Sequence, residues 1–129
     1  MSKQCINPTA ALTFPGMSQA TVSGNVISIS GQVALDASGH LVGDGDPLVQ
    51  AEQCLLNIEA LIELAGATLA DIVKLTCFIT SADTYPAYAK AKLARFPVDA
   101  PAGTCVVVAA LLDPRFLLEV EALAVLDRK

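Results

Sequence analysis

The sequence has no tryptophan and a single histidine, His40, and its four cysteines lie far apart at positions 5, 54, 77 and 105. One histidine leaves no room for a histidine-based triad or a multi-histidine metal site. With no C-x-x-C pair and no secretory context, structural zinc and a disulfide framework are both disfavoured, and the cysteines read as small buried apolar side chains, Cys5 near the terminus being set apart. No metal is expected. The chain also lacks a G-x-x-x-x-G-K-[ST] phosphate loop and a G-x-G-x-x-G turn after a strand, so no cofactor is implied. Gly43-Asp44-Gly45-Asp46 is short of a calcium loop in length and ligand number, and it reads as a helix cap.

Positive charge is scarce too. Eight basic residues stand against thirteen acidic ones, a net charge of −5, which argues against a nucleic-acid surface. The nearest approach to a basic cluster, Lys90, Lys92 and Arg95, reads as the solvated face of a helix. No apolar run approaches the ~20 residues that cross a bilayer, and Met1-Ser2-Lys3-Gln4 opens no signal segment. A cytoplasmic protein with no membrane contact is expected.

What is plentiful is apolar surface. Hydrophobic residues make up 53% and charged residues only 16%, against roughly 45–50% and about 25% in ordinary soluble domains. The surplus is assigned to a subunit interface. Residues 1–129 fit one α/β domain with one core.

Residues 1–20 are rich in Pro, Ser, Thr and Gly and read as an extended lead-in segment. Asn25 to Ser30 and Val33 to Leu35 form two short β-type runs, taken as a hairpin that ends at Asp36-Ala-Ser-Gly39. Asp46 as N-cap with Pro47 behind it starts a helix, Leu48, Ala51, Leu55, Ile58, Ile62 and Ala65 mark its buried face, and Gly66 ends it. Ile72 to Ile79 has the β-branched content of a central strand. A second helix begins near Asp83 and stops at Pro97. Thr104 to Leu111 and Phe116 to Leu126 are closing strands around the turn Leu112-Asp-Pro-Arg115. The order is ββαβαββ, a mixed sheet with two helices on one face. Its other face is also apolar and calls for a second copy of the chain.

Two carboxylates interrupt the most apolar stretch. Glu119 and Glu121, spaced i, i+2, share one face of a strand. They face water or pair with a lysine such as Lys74, or else a half-buried carboxylate of raised pKa activates a water as general base.

Ser30-Gly31-Gln32, the Asn57 helix ending in Ala65-Gly66-Ala67, Asp71-Ile-Val-Lys74-Leu-Thr, Pro101-Ala102 and Leu118-Glu119-Val-Glu121-Ala closely resemble, in order and spacing, the Rid/YjgF family. These are reactive-intermediate deaminases, also labelled endoribonuclease L-PSP or translation-initiation inhibitor. The resemblance runs from about Ser18 to Leu126. It implies a chorismate-mutase-like fold, a homotrimeric barrel with clefts between subunits, and hydrolysis of amino-acid-derived enamines and imines such as 2-aminoacrylate to a 2-keto acid and ammonia.

Carried over residue by residue, the family's serine corresponds to Ser30, its frequent cysteine to Cys105 and its water-placing glutamate to Glu119, the catalytic candidate. Gly103 stands where the family's Pro-Ala-Arg-[Ser/Thr] motif has the arginine that grips a substrate carboxylate. Met17 replaces the cleft tyrosine and Ala89 the helix asparagine. Glycine has no guanidinium fork. The resemblance, so modified, implies a roomier and less polar cleft for a small, uncharged or weakly polar carbonyl or imine compound. Backbone groups around Thr104 and Cys105 would hold its oxygen, and activity on 2-aminoacrylate-type imines would be weak or absent. A non-catalytic metabolite-binding protein is the alternative, and an endoribonuclease ranks below both. Arg115 could reach in from its turn, but it reads better as exposed.

Overall fold

The computed structural model describes residues 2–126; Met1 and residues 127–129, the ends of the 1–129 domain expected above, lie outside the described residues. Helix α1 (Pro47–Leu64) begins where its cap dictates: the Asp46 carboxylate accepts a hydrogen bond from the Val49 N–H at 3.1 Å, and Pro47 fills the first turn, where its missing N–H costs nothing. Ala51, Leu55, Ile58 and Ile62 line its buried face, each large aliphatic contributing about 1.5–3 kcal/mol by burial. Gly66, at φ +86°, reverses the chain so that the Ala67 N–H reaches back to the Ile62 carbonyl at 3.0 Å.

Among the described residues six strands form one sheet: β1 (Gln4–Ile6), β2 (Ala20–Ser23), β3 (Val26–Gln32), β4 (Ile72–Ile79), β5 (Ala102–Val107) and β6 (Leu118–Val125), in the spatial order β1-β2-β3-β6-β4-β5. Only β4 and β5 run parallel. Helices α1 and α2 (Tyr85–Arg95) pack on each other and cover one face of the sheet, over Ile27, Ile29, Leu75, Cys77, Leu118 and Val120. No helix of the described residues is long and apolar enough to cross a membrane.

Several expectations need correction. The hairpin is β2–β3, turning at Gly24-Asn25. Val33 to Leu35 is no strand and contributes only the bridge between Leu35 and Leu41. Ser30, Gly31 and Gln32 therefore end a long strand. The lead-in segment supplies β1 as an edge strand. The closing strands are shorter than expected and are not neighbours, because β4 lies between β5 and β6. Helix α2 starts at Tyr85, after a 3-10 turn over Ala82–Thr84. The uncovered sheet face is mixed: Thr21, Ser28, Lys74, Thr76 and Glu121 give it a polar centre, with Val26, Val106 and Leu123 around them. Strand alternation puts apolar side chains under the helices and leaves these polar ones opposite.

One buried amide ties the layers together. Gln50, fully enclosed, donates to the carbonyls of Gly43 (3.0 Å) and Arg115 (2.9 Å) and accepts from the Leu117 N–H (2.9 Å). It thereby fixes the first turn of α1 to the approach into β6, the strand that carries Glu119.

Candidate functional site

Glu119 lies on the side of β6 opposite Leu118 and Val120 and is partly buried. It makes no hydrogen bond or ion pair among the described residues. Burial, and secondarily the neighbouring Glu121 carboxylate, push its pKa above the ordinary carboxylate value. Its approach explains the glycine beside it: a Cβ on Gly31 would run into the Glu119 carboxyl group, with Cδ at 2.7 Å. Gly31 is present because the carboxylate occupies the space a side chain would fill.

The two residues open into a cavity of about 470 Å³ whose wall is mainly apolar, including Phe14, Met17, Leu112 and Phe116. Its polar rim is held by tight hydrogen bonding. The Asn57 amide, on α1, donates to the carbonyls of Val33 (3.1 Å) and Leu35 (2.9 Å). The buried Gln32 amide donates to Gln19 Oε1 (2.9 Å), and the Gln19 amide in turn donates to the Leu12 carbonyl (2.8 Å). These bonds shape the wall after β3, where the chain leaves the sheet.

Ser30 belongs to a second, more polar hollow of about 410 Å³ with Ser18, Thr21, Ser28, Lys74, Thr76 and Glu121. Its hydroxyl donates to the Ser18 carbonyl at 2.6 Å. The Lys74 ammonium donates to Thr104 Oγ1 at 2.7 Å, and the lysine–glutamate pairing weighed for Glu119 and Glu121 does not occur. Among the described residues the ion pair found is Arg115–Asp113, at 2.9 Å within its own turn. It holds Asp113 well below the usual carboxylate range, at about 2. Arg115 is thus occupied and exposed, as its turn suggested.

Gly103 and Cys105 form a different neighbourhood. Gly103 and Cys105 are the register partners of Leu75 and Cys77, so they face the helix side at the β5 edge. The Cys77 thiol lies beside Cys105, and its pKa is driven up by burial first and by Cys105 next. Tyr88 is buried against the same thiols, and desolvation raises its phenol. Ala89 follows it on α2. The expected solvated basic face does not form: Lys90 is exposed, but Lys92 and Arg95 are partly buried, and the Lys92 ammonium stands 5.1 Å from the centre of the Tyr88 ring. All four cysteines are free, and the described residues contain no group of three or more His, Cys, Asp or Glu arranged to hold a metal ion.

A family model described as endoribonuclease L-PSP matches residues 8–126. The chain belongs to the endoribonuclease L-PSP family. Solved relatives agree with that assignment. RidA from the Antarctic bacterium Psychrobacter sp. is 33% identical, with a TM-score of 0.82 over 92% of this chain and 93% of that one. YyfA from Yersinia pestis, a protein of unknown function in the conserved Rid protein family, is 31% identical, with a TM-score of 0.89 over 97% of this chain and all of that one. A Mycobacterium tuberculosis member of the YjgF/YER057c/UK114 family is 27% identical, with a TM-score of 0.83 over 97% and 100%. The sequence resemblance to the Rid/YjgF group and the mixed α+β fold are both supported by these matches.

Within this L-PSP family chain, the structure brings Met17 and Glu119 into one cavity and puts Ser30 in the adjoining hollow that Lys74 joins to Thr104. Gly103, Cys105 and Ala89 lie on the opposite side of the sheet. Sequence reasoning missed Asn57 and Gln32 as wall residues and Lys92 as an inward cation. Polar residues on otherwise apolar faces were the available signal for the first two.

Proposed function

We propose that this L-PSP family protein binds a small imine, enamine or carbonyl metabolite, and hydrolyses the imine or enamine, in a cleft shared between copies of the chain. The observation that carries the reading is Glu119, a carboxylate without a partner among the described residues, partly desolvated, pressed against Gly31 at the mouth of an apolar cavity. A general base needs this combination, since a raised proton affinity lets it take a proton from water near neutral pH. The water oxygen adds to the C=N carbon, the π electrons move to nitrogen, and Glu119 passes the proton it takes from the water to that nitrogen. The carbinolamine then collapses to C=O and releases ammonia.

The sheet supports sharing between copies. Side chains alternate faces, so Glu119 and the Gly103–Cys105 edge cannot meet within one chain. Phe14, Met17 and Leu112, all exposed, ring the Glu119 cavity with apolar surface suited to a neighbour. In the proposed homotrimer the β5 edge of one copy faces the Glu119 cavity of the next. Alternate N–H groups of β5 around Thr104 and Cys105 point away from β4 and are free to hold a substrate oxygen.

Gly103 in place of the family's expected arginine leaves no bidentate grip on a carboxylate, so amino-acid imines should turn over slowly. The experiment generates 2-iminopropionate in situ with an amino-acid oxidase and follows its decay. Wild type is expected to be slow and Gly103→Arg faster; rapid wild-type turnover would defeat this reading of Gly103. Loss of polar groups at Met17, Ala89 and Gly103 favours a second reading, a non-catalytic binding protein. Glu119→Gln separates the two, because a binder keeps its ligand affinity and an enzyme loses turnover.

A further inference from the structure

Lysine side chains normally extend to water or end on a carboxylate. Lys92 does neither. It sits in the last turn of α2, partly buried, with its ammonium over the Tyr88 ring. Among the described residues it has no ion-pair partner, in a chain with five more acidic than basic residues. A Cβ built on Gly103 would meet Lys92 Nζ at 3.7 Å and nothing else within 4 Å. Where any other residue would place a side chain, this chain leaves open space that ends on a cation. Cys105, two residues along β5, shares that face.

The geometry has a chemical reading. An ammonium carries three donors and no acceptor. The ring face holds the charge in place through its quadrupole but supplies no oxygen to those donors. The N–H groups beside Gly103 therefore suit an anion with acceptor oxygens, small enough to enter a gap one side chain wide.

We propose that Lys92 is a specificity-determining residue whose ammonium, seated on Tyr88 and reached through the gap at Gly103, binds the carboxylate of an acid ligand. The inference rests on the cleft proposed above and sharpens its ligand class from weakly polar to anionic. It also separates binding from turnover. A point charge carried on a helix draws a carboxylate in, but it does not fix the carboxylate's plane as a guanidinium fork would. Acids then bind while small imino acids still react slowly.

The test is a 1H–15N NMR titration of the labelled full chain with two probes, 2-oxobutanoate and its neutral amide, 2-oxobutanamide. In wild type the acid should shift the Gly103 and Cys105 amides and bind about tenfold more tightly than the amide. Lys92→Gln should abolish that preference without weakening the amide, and Lys92→Arg should restore it. Lys92→Met, which keeps the apolar stem over Tyr88, should behave like the glutamine variant. The ratio is read within each variant, so a loss of stability does not imitate the effect. Equal affinity for acid and amide in wild type, or a preference that survives in Lys92→Gln and Lys92→Met, overturns the role of Lys92 and leaves the cleft standing. Absence of shifts at Gly31, Gly103 and Cys105 with both probes overturns the cleft as well.

Discussion

The two walls assigned to the cleft are built in opposite ways. Along β3 and β6 a negative group is forced into a crowded place: Glu119 fills the volume beside Gly31, and the surrounding side chains are apolar. Along β5 and α2 a positive group stands back from an empty place, with Lys92 behind a glycine that leaves its space open. Crowding raises the proton affinity of the first wall, which suits proton transfer. Openness leaves the second accessible, which suits capture of a ligand. A glycine stands in both, for contrary reasons: one makes room for a protein side chain, the other for a guest.

The sharpest way to break the comparison is Glu119→Gln. If the first wall performs chemistry, turnover on an accepted imine should fall by about 10²–10⁴-fold, with ligand affinity retained. A steady-state assay paired with the NMR titration measures both.

Gly31→Ala comes next. The added methyl should displace the Glu119 carboxyl group, lowering turnover markedly and costing about 1–3 kcal/mol of stability through overpacking, read by urea unfolding. Gly103→Ala should be nearly neutral in the same unfolding assay, since its Cβ meets only Lys92 Nζ at an ordinary contact distance. Equal costs at the two glycines would erase the distinction drawn between the walls.

Asn57→Ala should cost about 1–3 kcal/mol, because the Val33 and Leu35 carbonyls lose their donor. Thermal unfolding checks it, and a larger drop in activity than in stability would show that the cavity wall also shapes the ligand site.

The smallest effect is a pH slope. Glu119 is more readily protonated folded than unfolded. Its contribution to stability is therefore full below the unfolded value of about 4.5 and is lost as pH rises through the higher folded value. Glu119→Gln should flatten that part of the stability profile and be no less stable than wild type at neutral pH. A variant that loses stability at pH 7 would mean that the ionised carboxylate is favourably held after all.

Local signals accounted for much of this architecture. Asp46-Pro47 and Gly66 marked both ends of α1, and the β-branched run Ile72 to Ile79 marked β4, because caps and strand content act over a few residues. The hairpin was misread for a comparable reason. Ala20 to Ser23 lies in a Ser/Thr/Gly-rich stretch without strand-like periodicity, and only its pairing with β3 makes it a strand. The separation of β5 from β6 depends on β4, which lies about thirty to fifty residues earlier in the chain than its partners, and has no local trace. The candidate site divides the same way. Glu119 stood out as a charge in an apolar run, whereas Lys92 looked like an ordinary helix-surface lysine, and only the packing of α2 over β5 turned it inward.

The position of β6 also bears on how the protein is made. β6, made after the other five strands of the sheet, is inserted between β3 and β4, near its middle. Until it arrives, the nascent chain holds two separate pieces, the β1–β3 meander and the β4–β5 pair, with their inner edges unpaired. The hydrophobic layer beneath the helices therefore cannot close until β6 has been made, and a chain arrested at Asp113 should be rapidly degraded in a protease challenge where the released protein survives.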